Sequence, residues 1–217
     1  MVDADSVLNR EFCSFVVSNG AGGDPIRTEF FHRLSKYKPV ASGGRYLNNV
    51  GAPVPDKLEF CRKYKFNIAF ENSSSPGYTT EKLMEPLSIQ TCPIYWGNPK
   101  VFEDFRPDCM VHVKDAKSID QAIEEIVYLD THDDEYLKKL AAPCLVKSPD
   151  EIEQKLVDFF EHIFSQEYEE ARRLNRYGWQ PVIRAQRKKL QDIYRTLSTI
   201  KNAPRRLMGR MRSLFRK

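Results

Sequence analysis

The chain has 217 residues, enough to bury one sizeable hydrophobic core or two small ones. Its composition, with 41% hydrophobic and 29% charged residues, is ordinary for a soluble globular protein. No run of about 18 apolar residues occurs, so the sequence predicts no transmembrane helix. The acidic first residues, MVDADSVLNREF, also lack the apolar centre of a signal peptide.

Charge is unevenly distributed along the chain. From Arg172 onward there are 15 of the 34 basic residues and one of the 30 acidic residues, Asp192. The preceding residues therefore hold 19 bases and 29 acids, which gives an acidic body followed by a basic tail. We predict a globular domain over residues 1–170 and a basic, partly amphipathic helical tail over residues 171–217.

The five cysteines are odd in number and widely spaced, and no CxxC pair occurs. Three of them lie inside apolar runs, FCSFVV, TCPIYW and DCMVHV. This favours buried free thiols and a reducing compartment. The four histidines show no spacing typical of metal ligands, so no metal site is expected.

In chain order, the hydrophobic pattern predicts alternating strands and helices. The predicted strands cover residues 12–19, 38–44, 66–72, 91–97 and 109–114. The predicted helices cover residues 26–37, 57–64, 79–90, 119–129, 133–142 and 149–168. Asp24 before Pro25 is typical of a helix start, and the segment Asp115–Ser118 is expected to cap the helix that follows it.

This alternation predicts an α/β fold with a parallel, doubly wound, Rossmann-like sheet. The strands are short continuous apolar runs, as expected where helices cover both faces of a sheet. In such a sheet, ligands bind beyond the carboxyl ends of the strands. The turns expected at those ends, SNGAGGDPIR, ASGGRYLNN, ENSSSPGYTTEK and WGNPKVF, are rich in Gly, Ser and Asn. Each turn alone has a structural explanation, but their repetition on one rim favours a polar ligand.

Lys82 lies in the first turn of a predicted helix, where the partial positive charge of the N-terminus disfavours a cation. A bound anion would remove this conflict, because the free N–H groups, the helix dipole and the ammonium would act together on a phosphate. Arg27 has the equivalent place after the first strand, so two cations could bind one diphosphate. The chain contains neither a GxxxxGK[ST] nor a GxGxxG motif.

Three further residues near this helix have open alternatives. Tyr78 could stack on a base or hydrogen-bond to a sugar, and it could equally pack on the start of the helix. Glu71 and Glu81 could accept hydrogen bonds from sugar hydroxyls. A carboxylate in the first turn of a helix, such as Glu81, is also favoured by the helix dipole alone.

The segment FENSSSPGYTTEKLMEPLSIQTCPIYWGNPKVFEDF resembles the signature region of the α-1,3/4-fucosyltransferases, glycosyltransferase family 10. The segments NREFCSFVVSN, PIRTEFFHRLSKY and SGGRYLNNVG, in that order, resemble the same family. The likeness covers about residues 9–165 and is strongest to bacterial members. Like those members, the chain lacks the paired cysteines of the secretory-pathway enzymes.

The resemblance implies a GT-B fold, of which this chain would be the C-terminal, donor-binding domain. It implies inverting transfer of fucose from GDP-fucose to a hydroxyl of an N-acetylglucosamine or glucose unit in a glycan acceptor. Arg27 and Lys82 match the family's diphosphate-binding cations, and Asn72, Tyr78 and Glu81 match residues that line the nucleotide and fucose. Glu81 would also support positive charge on the fucose ring, as the catalytic carboxylate. The resemblance implies that the reaction requires no cofactor. A divalent metal is expected at most to stimulate the activity.

A GT-B enzyme has two Rossmann-like domains, and this chain has residues for one. The resemblance places the general base for the acceptor hydroxyl on the domain that the sequence lacks. Three explanations of this difference are open: the sequence is a fragment, a truncated reading frame or one half of a split enzyme. A nucleotide-sugar-binding remnant without catalysis and a donor domain for another nucleotide sugar are the alternative functions.

The segment PRRLMGRMRSLFRK, residues 204–217, places its apolar residues on one side of a helical wheel and its basic residues on the other. This pattern favours a helix on an anionic membrane surface. A helix that covers the protein's own core and a disordered arm are the alternatives. Nucleic-acid binding is not expected, because the body is acidic and the tail lacks interleaved aromatic residues. Bacterial family members have similar tails, so the expected location is cytoplasmic, on the inner face of a bacterial membrane.

Overall fold

The computed structural model describes residues 2–20, 22–171 and 185–193. The chain divides into two compact units, Met1–Ile152 and Glu153–Lys217. The predicted tail lies mostly outside the described residues, so the boundary near residue 170 stays a prediction.

The first unit contains a parallel sheet whose strands alternate with helices. The strands are β1 (Glu11–Phe15), β2 (Val40–Ser42), β3 (Tyr64–Phe70), β4 (Cys92–Trp96) and β5 (Val111–His112). The helices of the first unit are α1 (Ala4–Leu8), α2 (Ile26–Leu34), α3 (Lys57–Cys61), α4 (Glu81–Ser88), α5 (Ile119–Thr131) and α6 (Asp133–Ala141). The next helix, α7 (Pro149–Phe164), begins in the first unit and ends in the second, and α8 (Tyr168–Ala171) belongs to the second. Short 3-10 helices lie at Val101–Glu103, Pro107–Cys109 and Ala116–Ser118, and residues 185–193 are helical. In the described part of the chain, no helix is long and apolar enough to cross a membrane.

The strand order in the sheet is β2-β1-β3-β4-β5, and every neighbouring pair is parallel. From β1 the chain moves to one edge of the sheet, and from β2 it crosses to the other side of β1. The order therefore reverses between β1 and β3. At such a switch point the loops leave neighbouring strands in opposite directions, and a crevice opens at the carboxyl ends of the strands.

Residues of β3 alternate between two hydrophobic clusters, one on each face of the sheet. Phe66, Ile68 and Phe70 belong to a cluster that includes apolar residues of α2 and α5. Ala69 belongs to the other cluster, together with Leu83 of α4. Helices thus cover both faces, and the predicted doubly wound α/β fold is confirmed.

The first strand is shorter than predicted, since it ends at Phe15 and not at residue 19. β2 ends at the same level, at Ser42, and the chain after β1 continues beside the turn that follows β2. The Phe15 carbonyl accepts from the Gly43 N–H at 3.0 Å, and the Val17 carbonyl accepts from the Tyr46 N–H at 2.9 Å. A Cβ on Gly44 would lie 1.9 Å from the Val17 oxygen, so the close approach of these backbones needs glycine.

Arg10 anchors the C-terminal end of α4 from the start of β1. Its Nη1 donates to the carbonyls of Ile89 at 3.3 Å and Gln90 at 2.7 Å, and to the Thr91 hydroxyl at 3.2 Å. These carbonyls carry the partial negative charge of the helix end, which a guanidinium complements. The position of this helix end relative to the sheet is therefore fixed.

All five cysteines are free thiols, as predicted. Burial raises the pKa of the Cys13 thiol well above its ordinary value and that of Cys92 to about 12. Cys144 is only half-buried, and the neighbouring Cys109 thiol lowers its pKa below the ordinary value. Because a reagent must reach the thiolate, we expect Cys144, the least buried of the five, to be the most reactive of these thiols.

We expect iodoacetamide to modify Cys144 at least about tenfold faster than Cys13 or Cys92 near neutral pH, because Cys144 combines exposure with a larger thiolate fraction. Mass spectrometry of peptides from briefly treated, folded protein measures this order. Faster labelling of Cys13 than of Cys144 would contradict the assignment.

Leu83→Ala should destabilise the fold by about 2–5 kcal/mol, because Leu83 is fully buried between α4 and the sheet. Met84→Ala, one residue further on the same helix, is the matched control, since Met84 is 49% exposed. Its effect should stay within about 0.5 kcal/mol. Urea unfolding monitored by circular dichroism compares the two, and equal effects would show that α4 does not pack as described.

Candidate functional site

Loops from three strands meet at the carboxyl edge of the sheet, beside the crevice between β1 and β3. The Asn72 carbonyl, just after β3, accepts from the N–H of Asp24, which precedes α2, at 2.9 Å. The Glu71 N–H donates to the carbonyl of Trp96, the last residue of β4, at 2.9 Å. Backbone hydrogen bonds therefore join the loop after β3 to its neighbours on both sides.

Arg27 lies in the first turn of α2 and is 3% exposed. Its Nη1 donates to Asn72 Oδ1 at 3.0 Å, while its Nε is buried and has no hydrogen-bond partner among the described residues. Burial lowers the pKa of Arg27, and Tyr46 and Glu71 oppose this effect. A Cβ on Gly23 would lie 2.2 Å from Nη1, so the glycine leaves room for the guanidinium. A buried cation with an unused donor is costly unless a ligand completes it.

Glu71 directly follows β3, and its carboxylate has no exposed surface. Its Oε1 accepts from the Thr80 N–H at 2.8 Å, and the Thr80 hydroxyl lies 2.8 Å from Oε2. Oε2 also lies 3.2 Å from the ammonium of Lys82. A Cβ on Gly97 would lie 2.4 Å from Glu71 Cγ, so the turn after β4 packs directly against this side chain. Of the two candidates for binding sugar hydroxyls, Glu71 does not fit that role, because its side chain is fully buried and occupied by Thr80 and Lys82.

Thr80 is the N-cap of α4, and its hydroxyl accepts from the Lys82 N–H at 3.4 Å. The Lys82 ammonium lies 3.2 Å from the Thr80 hydroxyl and 3.1 Å from Glu81 Oε1, besides its contact with Glu71. Burial lowers the pKa of Lys82, but the hydrogen bond to Glu81 and the charge of Glu71 outweigh it, and the pKa is raised. The sequence explained this lysine by a bound anion alone. The structure adds a reason within the protein, because two carboxylates offset the unfavourable helix dipole.

Glu81 is the exposed member of this group, with 58% of its side chain accessible. Burial alone would raise its pKa, but the hydrogen bond from Lys82 and the N–H groups at the helix start lower it. Glu81 is therefore an ionised carboxylate at the surface of the rim.

Asn98, in the turn after β4, holds the loop that carries Tyr78. Its Oδ1 accepts from the Gly77 N–H at 3.0 Å, and its Nδ2 donates to the Thr79 hydroxyl at 3.0 Å. The Tyr95 hydroxyl donates to the Tyr78 carbonyl at 3.4 Å. Tyr78 itself is 36% exposed, so its ring is accessible to a ligand. The Gly-Asn-Pro sequence indicated a turn here, but nothing in it identified Asn98 as the anchor of another loop.

The structure thus places four of the five predicted site residues in two pairs. Arg27 pairs with Asn72, and Lys82 pairs with Glu81. The pairs are linked through Glu71, which precedes Asn72 in sequence and contacts Lys82 in space.

Residues 9–141 match the family model described as glycosyltransferase family 10 (fucosyltransferase), C-terminal. The chain belongs to glycosyltransferase family 10. All five predicted site residues fall within the matched segment of this family 10 chain.

Similar proteins agree with this assignment. The chain is 45% identical over 138 residues to the alpha-(1,3)-fucosyltransferase FucT of Helicobacter pylori, covering 64% of this chain and 28% of the relative. It is 32% identical over 129 residues to alpha-(1,3)-fucosyltransferase B of Drosophila melanogaster, covering 53% of this chain and 26% of the relative. The chain thus spans little more than a quarter of the length of these relatives.

Two crystal structures of an alpha1,3-fucosyltransferase are similar to this fold. The one with GDP-fucose has a TM-score of 0.67 and 38% identity, and the one with GDP has a TM-score of 0.68 and 39% identity. Each alignment covers 74% of this family 10 chain and 49% of the solved chain.

We expect Asn98→Ala to release the loop of residues 72–79, because it removes the acceptor for Gly77 and the donor to Thr79. Lost buried hydrogen bonds of this kind cost about 1–3 kcal/mol each. Native-state hydrogen exchange should then show at least about tenfold faster exchange of the Gly77 amide, which corresponds to about 1.4 kcal/mol. Asn98→Asp retains the acceptor and serves as the control. Unchanged protection of Gly77 in Asn98→Ala would show that the loop is held by other contacts.

Proposed function

We propose that this chain binds GDP-fucose at the carboxyl edge of its sheet and forms the donor half of an α-1,3/4-fucosyltransferase. The observation that carries the proposal is Arg27, a buried guanidinium with an unpartnered Nε, beside the switch point of the sheet. Support comes from the similar crystal structure of an alpha1,3-fucosyltransferase with GDP-fucose, which is 38% identical to this chain. A diphosphate is the part of that donor that would complete the hydrogen bonding of Arg27.

In the proposed reaction, an acceptor hydroxyl attacks the fucose carbon as the bond to the diphosphate breaks. The configuration inverts, because the hydroxyl approaches from the side opposite to the leaving group. Negative charge then grows on the diphosphate, and Arg27, Lys82 and the N–H groups at the start of α4 stabilise it. Each preorganised donor of this kind is typically worth about 2.7–4 kcal/mol in the transition state.

The remaining site residues have separate roles in this proposal. Asn72 and Tyr78 line the nucleotide, and the ionised Glu81 supports positive charge on the fucose ring as the catalytic carboxylate. These protein groups carry the charge stabilisation, so the proposal includes no required metal. The base that takes the proton of the N-acetylglucosamine or glucose hydroxyl would lie on the opposite face of the sugar, outside the donor-binding domain.

We expect isothermal titration calorimetry to show GDP and GDP-fucose binding with a Kd between low micromolar and millimolar, unchanged by EDTA. Arg27→Ala and Lys82→Ala should each weaken it about tenfold or more, since hydrogen bonds between charged groups contribute about 1.5–3 kcal/mol. Lys100→Ala is the matched control, because Lys100 lies on the same rim but pairs with Glu103 at 3.0 Å. Equal affinity of folded Arg27→Ala, Lys82→Ala and wild type would refute the site. Tighter binding of GDP-mannose or a UDP-sugar would identify another donor.

Incubation with GDP-fucose and N-acetyllactosamine tests the chemistry separately from binding. Fucosylated product, detected by mass spectrometry, would establish transfer by this chain. Retained binding without product would favour the alternative, a membrane-attached nucleotide-sugar-binding remnant.

We also propose that residues 204–217 attach the protein to the inner face of a bacterial membrane from the cytoplasm. This segment lies outside the described residues, and the proposal rests on its basic amphipathic pattern. The full chain should co-sediment with vesicles containing anionic lipid and not with neutral vesicles. Deletion of residues 204–217 should abolish pelleting, and pelleting that survives the deletion would exclude this role.

A further inference from the structure

Lys82 has two carboxylate partners that differ in exposure and in how firmly they are held. Glu71 comes from the end of β3 and has no exposed surface, while 58% of the Glu81 side chain is exposed. The Lys82 ammonium lies 3.2 Å from Glu71 and 3.1 Å from Glu81. The two ion pairs have similar lengths but unequal environments.

Glu71 is fixed from three sides. The Thr80 N–H and hydroxyl bind its two oxygens, Gly97 packs against its Cγ, and its own N–H bonds to the Trp96 carbonyl. Loss of Lys82 as a partner would leave a buried carboxylate uncompensated, which costs several kcal/mol. This ion pair is therefore expected to persist whatever binds at the rim.

Glu81 has no comparable constraint. Its side chain lies mostly in solvent, where a single ion pair contributes only about 0–1 kcal/mol. A diphosphate carries more negative charge and more acceptor oxygens than one carboxylate, so it competes well for an ammonium that is 20% exposed.

We propose that Glu71 is a positioning residue, which holds the Lys82 ammonium in place before and after donor binding, and that the donor diphosphate replaces Glu81 as the second partner of Lys82. The exchange of Glu81 for the diphosphate rests on the proposed function, whereas the positioning role of Glu71 does not. Release from Lys82 leaves Glu81 as a free carboxylate beside the bound sugar, where the proposed reaction needs it. Donor binding and the freeing of the catalytic carboxylate are then one event.

The first part can be tested without any ligand. Glu71, Glu81 and the phenol of Tyr95 are the titratable groups that face Lys82 in the described chain. Glu71→Gln retains the size of the side chain and an acceptor for the Thr80 N–H, but removes the charge. The pKa of Lys82 should then fall, because burial remains while the buried counter-charge is lost.

Competitive acetylation with acetic anhydride, followed by mass spectrometry of the Lys82 peptide, measures this pKa. At a pH below the pKa of Lys82, we expect at least about threefold faster acetylation of Lys82 in Glu71→Gln, the change that half a pKa unit produces. Glu81→Gln should give a smaller increase. An unchanged rate in folded Glu71→Gln, or a larger increase in Glu81→Gln, would overturn the positioning role.

The second part is measured on the wild-type chain, so it does not depend on whether Glu71→Gln folds. Carboxylate carbon NMR follows the titration of Glu81 with and without GDP. The pKa of Glu81 is lowered in the free chain, with Lys82 among the causes. It should rise when GDP takes Lys82 away and places negative charge nearby, and an unchanged or lower pKa would overturn the exchange.

Calorimetry supplies a second readout. GDP should bind Glu81→Gln more tightly than wild type, because a competitor for Lys82 is gone, and should bind Glu71→Gln more weakly. The reverse order would overturn the proposal. If the wild-type chain binds no GDP, the proposed function and the exchange fail together, whereas the acetylation experiment still decides the role of Glu71.

Discussion

The buried carboxylate of Glu71 is the constraint on which the geometry of this rim depends. An ionised group without solvent must find its partners in the protein, and Glu71 finds them in the backbone and hydroxyl of Thr80 and the ammonium of Lys82. These partners all belong to the start of α4, so the charge ties that helix to the end of β3. Gly97 leaves the space that the Cβ and Cγ of Glu71 occupy. A substitution at any of these positions would disturb strand, turn and helix together.

The topology of the sheet explains why two cations lie on either side of the loop that carries Glu71 and Asn72. The strand order reverses between β1 and β3, and α2 and α4 pack on opposite faces of the sheet. Arg27 begins one of these helices and Lys82 the other, so each approaches the crevice from its own side. A parallel sheet without a reversal at this point would direct both helices to the same face and leave no crevice between their first turns.

The fold was largely predictable from the sequence, because the buried strands are continuous apolar runs and the helices have clear periodicity. The end of β1 was not, since Val16 and Val17 continue the apolar run while the pairing with β2 and with β3 stops by Phe15. The pairing of Arg27 with Asn72 and the part played by Asn98 required the fold, because each joins residues from different loops.

The carboxylates show a second limit of sequence reasoning. Glu71 lies at the end of a strand and Glu81 at the start of a helix, and the sequence offered sugar binding for each. Their difference is burial, which depends on how the turn after β4 packs against Glu71. Lys82, which the sequence analysis explained by an external anion, already has carboxylate partners within the protein. This pairing could not be predicted without knowing where Glu71 lies.

The contacts of Arg10 have a consequence for the opposite end of α4. With the last carbonyls tied to Arg10 and the first turn tied to Glu71, this eight-residue helix is anchored at both termini. Its N-terminal amides therefore point in a fixed direction before any ligand arrives. Preorganisation of this kind reduces the conformational entropy lost on association, so more of each contact's energy is retained as affinity.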